Sequence, residues 1–278
     1  MVAREVESLR HAVTPWRRAG QRIALVPTMG ALHDGHRALV GHARTLADHV
    51  VVSIFVNPTQ FAPHEDLDRY PRQEARDLAI LTEAGASLVW MPAVGTMYPE
   101  GCSTRISPGT AADGLETDHR PHFFGGVASV VAKLLNQVTP DIALFGEKDY
   151  QQLCVVRQMV QDLDMNVEIL GHPTVREADG LALSSRNAYL REEERQIAPA
   201  LFEIISQVAR QAPTTRDLAG MRTDAASQLL SRGFASVDYI DVRDAATLGP
   251  YRPDRTGRVL AAAWLGRTRL IDNVAVGV

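Results

Sequence analysis

Ile23-Ala-Leu-Val-Pro-Thr-Met-Gly-Ala-Leu-His-Asp-Gly-His36 is the stretch whose reading decides the fold. Ile23 to Val26 is a run of apolar or small residues long enough for a buried strand. Pro27 and Gly30 mark a turn after it. His33 and His36 follow, with Asp34 and Gly35 between them, and Leu39, Val40, Ala43, Leu46 and Ala47 then recur at helical spacing. The pattern predicts a strand, a Gly-containing loop and a helix, with two imidazoles near the helix start. A helix N-terminus carries unsatisfied backbone N–H groups and a partial positive charge, so it suits an anion, phosphate above all. Two histidines there can donate to a polyphosphate and strengthen as charge develops on it. The plainer reading makes each histidine an ordinary loop or cap residue.

The H-x-G-H spacing at a strand-to-helix junction resembles the signature of the nucleotidyltransferase and class I aminoacyl-tRNA synthetase superfamily. That resemblance implies attack on the α-phosphate of a nucleoside triphosphate. Composition sets the outer bounds. A chain of 278 residues can bury a good core in one large domain or two modest ones. Apolar content of 45% with 22% charged residues reads as a soluble globular protein. A net charge of −4 gives no broad electrostatic case for nucleic acid or an anionic membrane. Cys102 and Cys154 show no ligand-like pairing, which fits a reduced compartment and argues against a disulfide framework or zinc site. The N-terminal residues include Arg4, Glu5, Glu7 and Arg10, and no apolar run approaches membrane length, so a cytoplasmic location is expected. Of the 29 basic residues only Lys133 and Lys148 are lysines. Lysine is a compact point charge and arginine a planar fork, and this bias singles out Lys148 as a phosphate-binding candidate.

Residues 4–19 read as an amphipathic helix with Val6, Leu9 and Val13 on one face. His49 to Val56 reads as a second buried parallel strand, ending at Asn57-Pro-Thr-Gln-Phe61. In an open α/β sheet the loops at the carboxyl ends of strands carry ligand contacts, which nominates Gln60; a plain Asn-Pro turn is the alternative. Residues 62–70 read as a loop, Arg72 to Ala84 as a helix, Ser87 to Met91 as a strand and 92–122 as irregular. Val127, Val130, Val131, Leu134, Leu135 and Val138 form a helical stripe, and Asp141 to Phe145 another strand. Gly146-Glu-Lys-Asp-Tyr-Gln-Gln152 repeats the first junction, and Leu153, Val156, Val160 and Leu163 form the stripe of its helix. Lys148 there suits a phosphate and Gln152 a neutral or carboxylate group, and two such junctions suggest a shared cleft. Asn166 to Leu170 is a further strand.

The alternation from 22 to 170 predicts an α/β fold, a Rossmann-like parallel sheet with helices on both faces. After a boundary near Pro173 to Gly180 come the polar run Ser184-Ser-Arg-Asn187, a helix through Ile197 to Val208, and another over about 217–232. Strands at Val237–Val242, Arg258–Leu265 and Thr268–Val276 complete a smaller C-terminal α+β domain. The expected division is 1–174 as the Rossmann-like domain and 175–278 as a smaller α+β domain closing over the site.

VPTMGALHDGH at 26–36, SIFVNPTQF at 53–61, DLDRYPR at 66–72, FGEKDYQQL at 145–153, VREADGLALSSRN at 175–187 and VDYIDVRDAATL at 237–248 together resemble the pantothenate synthetase (pantoate–β-alanine ligase) family. The resemblance spans almost the whole chain. It implies a two-step reaction: pantoate carboxylate attacks the α-phosphate of ATP to give pantoyl adenylate and pyrophosphate, and β-alanine then displaces AMP to give pantothenate. It implies His33, His36, Lys148 and Arg186 as catalytic residues on the phosphates, with Ser184 and Ser185 as hydroxyl donors. Backbone groups of Met29, Gly30, Ala31, Leu32, Asp34 and Gly35 would hold the nucleotide. So would Gly146, Glu147 and Asp149 at the second junction, together with Val175 and Leu183. Gln60 and Gln152 match the pantoate and β-alanine ligands; neutral amides leave the carboxylate nucleophilic, where a fixed arginine would stabilise its ground state. Magnesium is implied by ATP chemistry, with Asp77 as its carboxylate and Glu74 as second choice. The resemblance also implies a homodimer. The family pattern R-P-x-H-F-x-G-V is altered here to Arg120-Pro-His-Phe-Phe-Gly-Gly-Val127, with Phe123 at the usual histidine position and His122 one place earlier. Rival readings are a nucleotidyltransferase that keeps the nucleotide on its product, a tRNA synthetase, disfavoured because no basic anticodon-binding region is visible, and a non-enzymatic nucleotide-binding protein.

Overall fold

The computed structural model describes residues 1–62, 65 and 67–277. Pro63, His64 and Asp66, the last being the first residue of the DLDRYPR stretch, lie outside the described residues, as does Val278. In chain order the first part contains β1 (Val2–Ala3), α1 (Val6–Arg18), β2 (Ile23–Thr28), α2 (Asp34–Leu46), β3 (His49–Ile54), α3 (Glu74–Ala84) and β4 (Leu88–Trp90). It continues through α4 (Val94–Met97), α5 (Glu116–His119), α6 (Phe123–Val138), β5 (Ile142–Gly146), α7 (Tyr150–Asp162) and β6 (Glu168–His172). Then follow α8 (Glu192–Ile197), α9 (Ala200–Gln211), α10 (Leu218–Ser231), β7 (Ser236–Asp244), β8 (Gly257–Leu265) and β9 (Thr268–Val276).

The chain divides into two compact units. One comprises Met1–Gly109, Arg120–Glu147 and Val155–Pro173; the other comprises Thr110–His119, Lys148–Cys154 and Thr174–Val278. The first unit holds a six-stranded parallel sheet in the order β1-β4-β3-β2-β5-β6. Alternate residues explain why its strands read as unbroken apolar runs. Ala24, Val26, Val50, Val52 and Val89 pack with Leu39, Val40 and Ala43 of α2 and Leu81 of α3. Leu25, Val51 and Trp90, between them in the strands, are fully buried, and Trp90 Nε1 donates to Gln137 Oε1 on α6 at 3.1 Å. Both faces are covered by helices, as a parallel sheet requires.

Three details depart from the sequence pattern. The strand expected to turn at Pro27 runs on to Thr28, with Pro27 paired against Ser53 of β3. Thr28 O accepts from Phe55 N at 3.0 Å, so Pro27 faces the opposite edge, where β5 pairs only with Ala24 and Leu25. A proline is tolerated there because no ladder bond is lost. The stripe assigned through Leu163 ends with α7 at Asp162, and Leu163 is exposed. The C-terminal helix through Ile197 is two helices, broken before Pro199, whose ring and missing N–H do not fit a helix interior. The expected irregular stretch 92–122 is largely irregular, with α4 and α5 as short turns within it.

In the second unit β7, β8 and β9 form an antiparallel sheet in that order. Leu201, Ile204, Ile205 and Val208 of α9 and Leu229 of α10 pack with Ile240, Val259, Ala261 and Leu270 of the sheet. This is the α+β part expected from the C-terminal pattern.

Candidate functional site

At the first junction the two histidines cap α2 reciprocally. His33 Nδ1 accepts from Gly35 N at 3.2 Å, and His36 Nδ1 accepts from His33 N at 3.3 Å. The ring centroids lie 4.2 Å apart. A backbone N–H only donates, so both Nδ1 atoms are acceptors and the proton of each neutral ring sits on Nε2. The cap reading and the ligand reading therefore coexist: capping uses one nitrogen of each ring and fixes the other as a donor. Before His33 the backbone is left-handed at Gly30 (φ +83°) and at Ala31 (φ +51°). Asp77, in the first turn of α3 and 2% exposed, accepts from both following amides: Ala31 N to Oδ2 at 3.0 Å and Leu32 N to Oδ1 at 2.9 Å.

Gln60 is buried at the end of a short 3₁₀ turn, Pro58–Gln60. Asn57 builds that turn. Its Oδ1 accepts from Thr59 N at 3.3 Å and from Tyr98 Oη at 2.9 Å, while its Nδ2 donates to Gln60 Oε1 at 3.1 Å and to Gly126 O at 3.2 Å. Gln60 Nε2 approaches Met29 Sδ at 3.0 Å, which joins two expected site residues. Arg120 Nη2 donates to Gln60 O at 3.0 Å and its Nε to Glu65 Oε1 at 2.6 Å. The guanidinium lies 3.9 Å from the centre of the Phe123 ring. Phe123 is thus a buried cation–π partner, whereas His122 is exposed and makes no side-chain cap to α6. Gly126 matters because α6 touches the turn backbone: a Cβ there would stand 2.4 Å from Thr59 O and 2.9 Å from Gln60 N. Gly126→Ala is expected to cost roughly 1–3 kcal/mol through overpacking. Chemical denaturation would measure it, and unchanged stability would mean that the turn yields freely.

The Glu147–Asp149 turn leads into α7. Lys148 Nζ lies 3.5 Å from Asp149 Oδ2 and the lysine side chain is 18% exposed. Its carbonyl accepts from Asn273 Nδ2 at 2.8 Å; Asn273, 3% exposed, also accepts from Arg258 Nε at 2.7 Å. Of the adjacent glutamines, Gln151 is consumed by structure. Its Oε1 accepts from Glu116 N at 3.1 Å and its Nε2 donates to Ala111 O and Gly114 O. Gln152 is half-buried. Leu183 N donates to Val175 O at 2.9 Å, which brings those two expected nucleotide-binding positions together. Ser184 Oγ accepts from Arg186 N at 3.3 Å, opening the 3₁₀ turn Ser185–Tyr189. Arg176 ties this segment to β9 by a bidentate pair with Asp272, at 2.6 and 2.8 Å.

The two carboxylates expected to hold magnesium both have protein partners. Both oxygens of buried Asp77 already accept backbone N–H groups, and Glu74 pairs with Arg4 at 2.6 Å. Among the described residues no three His, Cys, Asp or Glu side chains form a group that could hold a metal ion. Asn273, Asn57, Arg120 and Gly126 were not nominated from sequence as site residues. Asn57 stands within the SIFVNPTQF motif, and Arg120 and Gly126 within the pattern at 120–127.

His172, at the end of β6, places its Nδ1 3.2 Å from His42 Nδ1 on α2. Burial, then the neighbouring His42, holds its pKa below the ordinary imidazole value, against a weaker opposing pull from Glu147. The neutral ring is therefore favoured in the fold, and the stability it contributes above the unfolded value is lost as pH falls through the folded value. Thermal unfolding measured from pH 8 to pH 5 is expected to show a shallower acid loss in His172→Gln than in the parent.

A family model described as pantoate-beta-alanine ligase matches residues 1–275. The chain belongs to the pantoate–β-alanine ligase family. It is 57% identical over 277 residues to a pantothenate synthetase of Mesorhizobium japonicum, covering 100% of this chain and 98% of that one. It is 54% identical to the pantothenate synthetase of Nitrobacter hamburgensis, with 99% and 98% covered. Among solved members of the family, the Thermus thermophilus enzyme superposes with a TM-score of 0.90 at 45% identity, covering 98% of each chain. The Francisella tularensis ligase, solved with β,γ-ATP and β-alanine, gives a TM-score of 0.84 at 34% identity, with 99% and 97% covered.

Proposed function

We propose that this chain condenses (R)-pantoate with β-alanine to give pantothenate, driven by ATP and passing through pantoyl adenylate. A pantoate carboxylate oxygen forms a bond to the α-phosphorus as the bond to the β-phosphate oxygen breaks and pyrophosphate leaves. The β-alanine nitrogen then bonds to the acyl carbon and loses a proton as the bond from that carbon to the bridging oxygen breaks, and AMP leaves with that oxygen and the bond's electron pair. One observation in this chain carries the reading: at the start of α2 both Nδ1 atoms accept from backbone, which makes Nε2 of each ring a donor beside a helix N-terminus. Donors so held need little reorganisation as charge builds on a leaving polyphosphate. His33, His36, Lys148 and Arg186 act on the phosphates, Ser184 and Ser185 donate to them, and backbone N–H groups of Met29–Gly35 and Gly146–Asp149, with Val175 and Leu183, hold the nucleotide. Gln60 and Gln152 orient pantoate. Bound magnesium would neutralise phosphate charge.

The cytoplasmic location and the homodimer belong to the same proposal, the dimer resting on the family resemblance of the sequence. Among the described residues no helix is long and apolar enough to cross a membrane. Sedimentation equilibrium reads the dimer directly. The activity test is exchange of labelled pyrophosphate into ATP with and without pantoate, followed by AMP release on adding β-alanine. Pantoate-dependent exchange and β-alanine-dependent AMP release are expected. ATP binding without exchange would leave a nucleotide-binding protein, and a product that retains the nucleotide would indicate a nucleotidyltransferase.

A further inference from the structure

We infer that Asp77 is a positioning residue for the nucleotide loop, acting through the backbone of Ala31 and Leu32 rather than on a metal ion. This rests on the function proposed above. The carboxylate comes from α3, and its two oxygens accept from two consecutive amides at 3.0 and 2.9 Å. Those amides belong to the two residues immediately before His33, whose Nδ1 opens α2. The fit is close on the other side too: a Cβ on Gly30 would stand 3.0 Å from Asp77 Oδ2, so that glycine admits the carboxylate. Ala31 is held at φ +51°, a left-handed conformation an alanine adopts only when its surroundings impose it. Asp77 supplies that constraint, because an acceptor pair aimed at two successive N–H groups fixes the peptide planes between them. Release of the pair would let the loop relax and would turn His33 and His36 away from the orientation their reciprocal cap sets.

Asp77→Asn keeps the size of the side chain but sets an NH₂ group against a backbone N–H. The first readout needs no turnover: calorimetric binding of a non-hydrolysable ATP analogue in EDTA, with no divalent cation present. We expect Asp77→Asn to weaken that binding by about tenfold or more, in line with leaving a buried donor unsatisfied. The magnesium concentration for half-maximal pyrophosphate exchange should stay at the parent's value while the maximal rate falls. The second variant is Ala31→Gly in the Asp77→Asn background. Glycine accepts positive φ without external help, so it should restore part of the lost binding. Unchanged analogue binding in EDTA together with a raised magnesium requirement would overturn the inference and make Asp77 a metal ligand. A lowered melting temperature with parent-like binding and exchange would also overturn it, leaving Asp77 a residue of the fold alone. If the parent protein itself binds the analogue but shows no pantoate-dependent exchange, the proposed reaction fails. The binding comparison in EDTA still decides the role of Asp77.

Discussion

Lys148→Ala is expected to lower pantoate-dependent pyrophosphate exchange by about 10²–10³-fold, equivalent to about 2.7–4 kcal/mol, the loss seen when one preorganised donor is taken from a developing oxyanion. Three observations place the weight on this side chain. It is one of two lysines among 29 basic residues, so a cation here that is not arginine is a deviation from the chain's own habit. Its backbone is clamped by Asn273 at 2.8 Å, on a strand buried in the second unit. Its side chain is only 18% exposed, and its ammonium sits beside Asp149 at 3.5 Å. A compact ammonium on a held backbone can move onto a phosphate that becomes more negative, where a planar fork would need a different geometry. Lys148→Arg should therefore restore little of the rate. The fall should appear in kcat more than in KM for ATP, since an interaction that strengthens in the transition state is the one removed. An exchange rate close to the parent's in Lys148→Ala would take this residue out of the adenylate step.

Arg269→Leu is expected to destabilise the protein by about 3–5 kcal/mol, the cost of leaving buried charges without their partner. Arg269 Nη1 donates to Glu116 Oε1 and its Nε to Asp238 Oδ2, each at 2.7 Å, and all three side chains are largely buried. Trp264 Nε1 donates to the other oxygen of Asp238 at 3.1 Å, and Tyr239 Oη to Glu116 Oε2 at 3.3 Å. Burial, reinforced by the Glu116 carboxylate, holds the Tyr239 phenol far above its ordinary pKa and keeps it a donor. Burial alone would lower the pKa of Arg269, but Glu116 and Asp238 outweigh it and keep the guanidinium charged. The substitution leaves the buried Glu116 and Asp238 carboxylates without their shared guanidinium. The melting temperature should fall by roughly 10 °C for a loss of this size in a chain of this length. The exposed pair Arg232–Glu203, at 3.2 Å, gives the contrast: Arg232→Ala should cost about 0–1 kcal/mol, because water replaces the lost partner. Equal melting temperatures for the two variants would mean that the buried network contributes no more than a surface pair.

The parallel sheet was legible because burial on both faces writes itself as continuous apolar runs, as in Ile23–Val26 and Val50–Val52. The helices were legible because one buried stripe recurs every three or four residues, as in Val127–Val138. The candidate site was legible where it coincided with strand ends: His33, His36, Gln60, Lys148 and Gln152 all follow strands. Boundaries failed where a tertiary neighbour decides them. Pro27 reads as a turn signal, yet it stays in β2 because the adjoining strand β5 has already diverged from it. Asp77 reads from sequence only as an acid after YPR, since nothing local shows that its carboxylate accepts the amides of Ala31 and Leu32.

By itself the sequence determined the order of strands and helices, the two strand-to-helix junctions with their histidines and lysine, and the family to which the chain belongs. These are properties of neighbours within a few residues, set by backbone geometry and by the period at which side chains return to one face. Tertiary structure alone decided what holds those residues. Asp77 reaches Ala31 across 46 positions, Asn273 reaches Lys148 across 125, and Arg269 reaches Glu116 across 153. A single aspartate, asparagine or arginine carries no period that names its partner. Only the packing of distant segments in each unit, which buries these polar groups where water cannot satisfy them, selects which distant donor meets which acceptor.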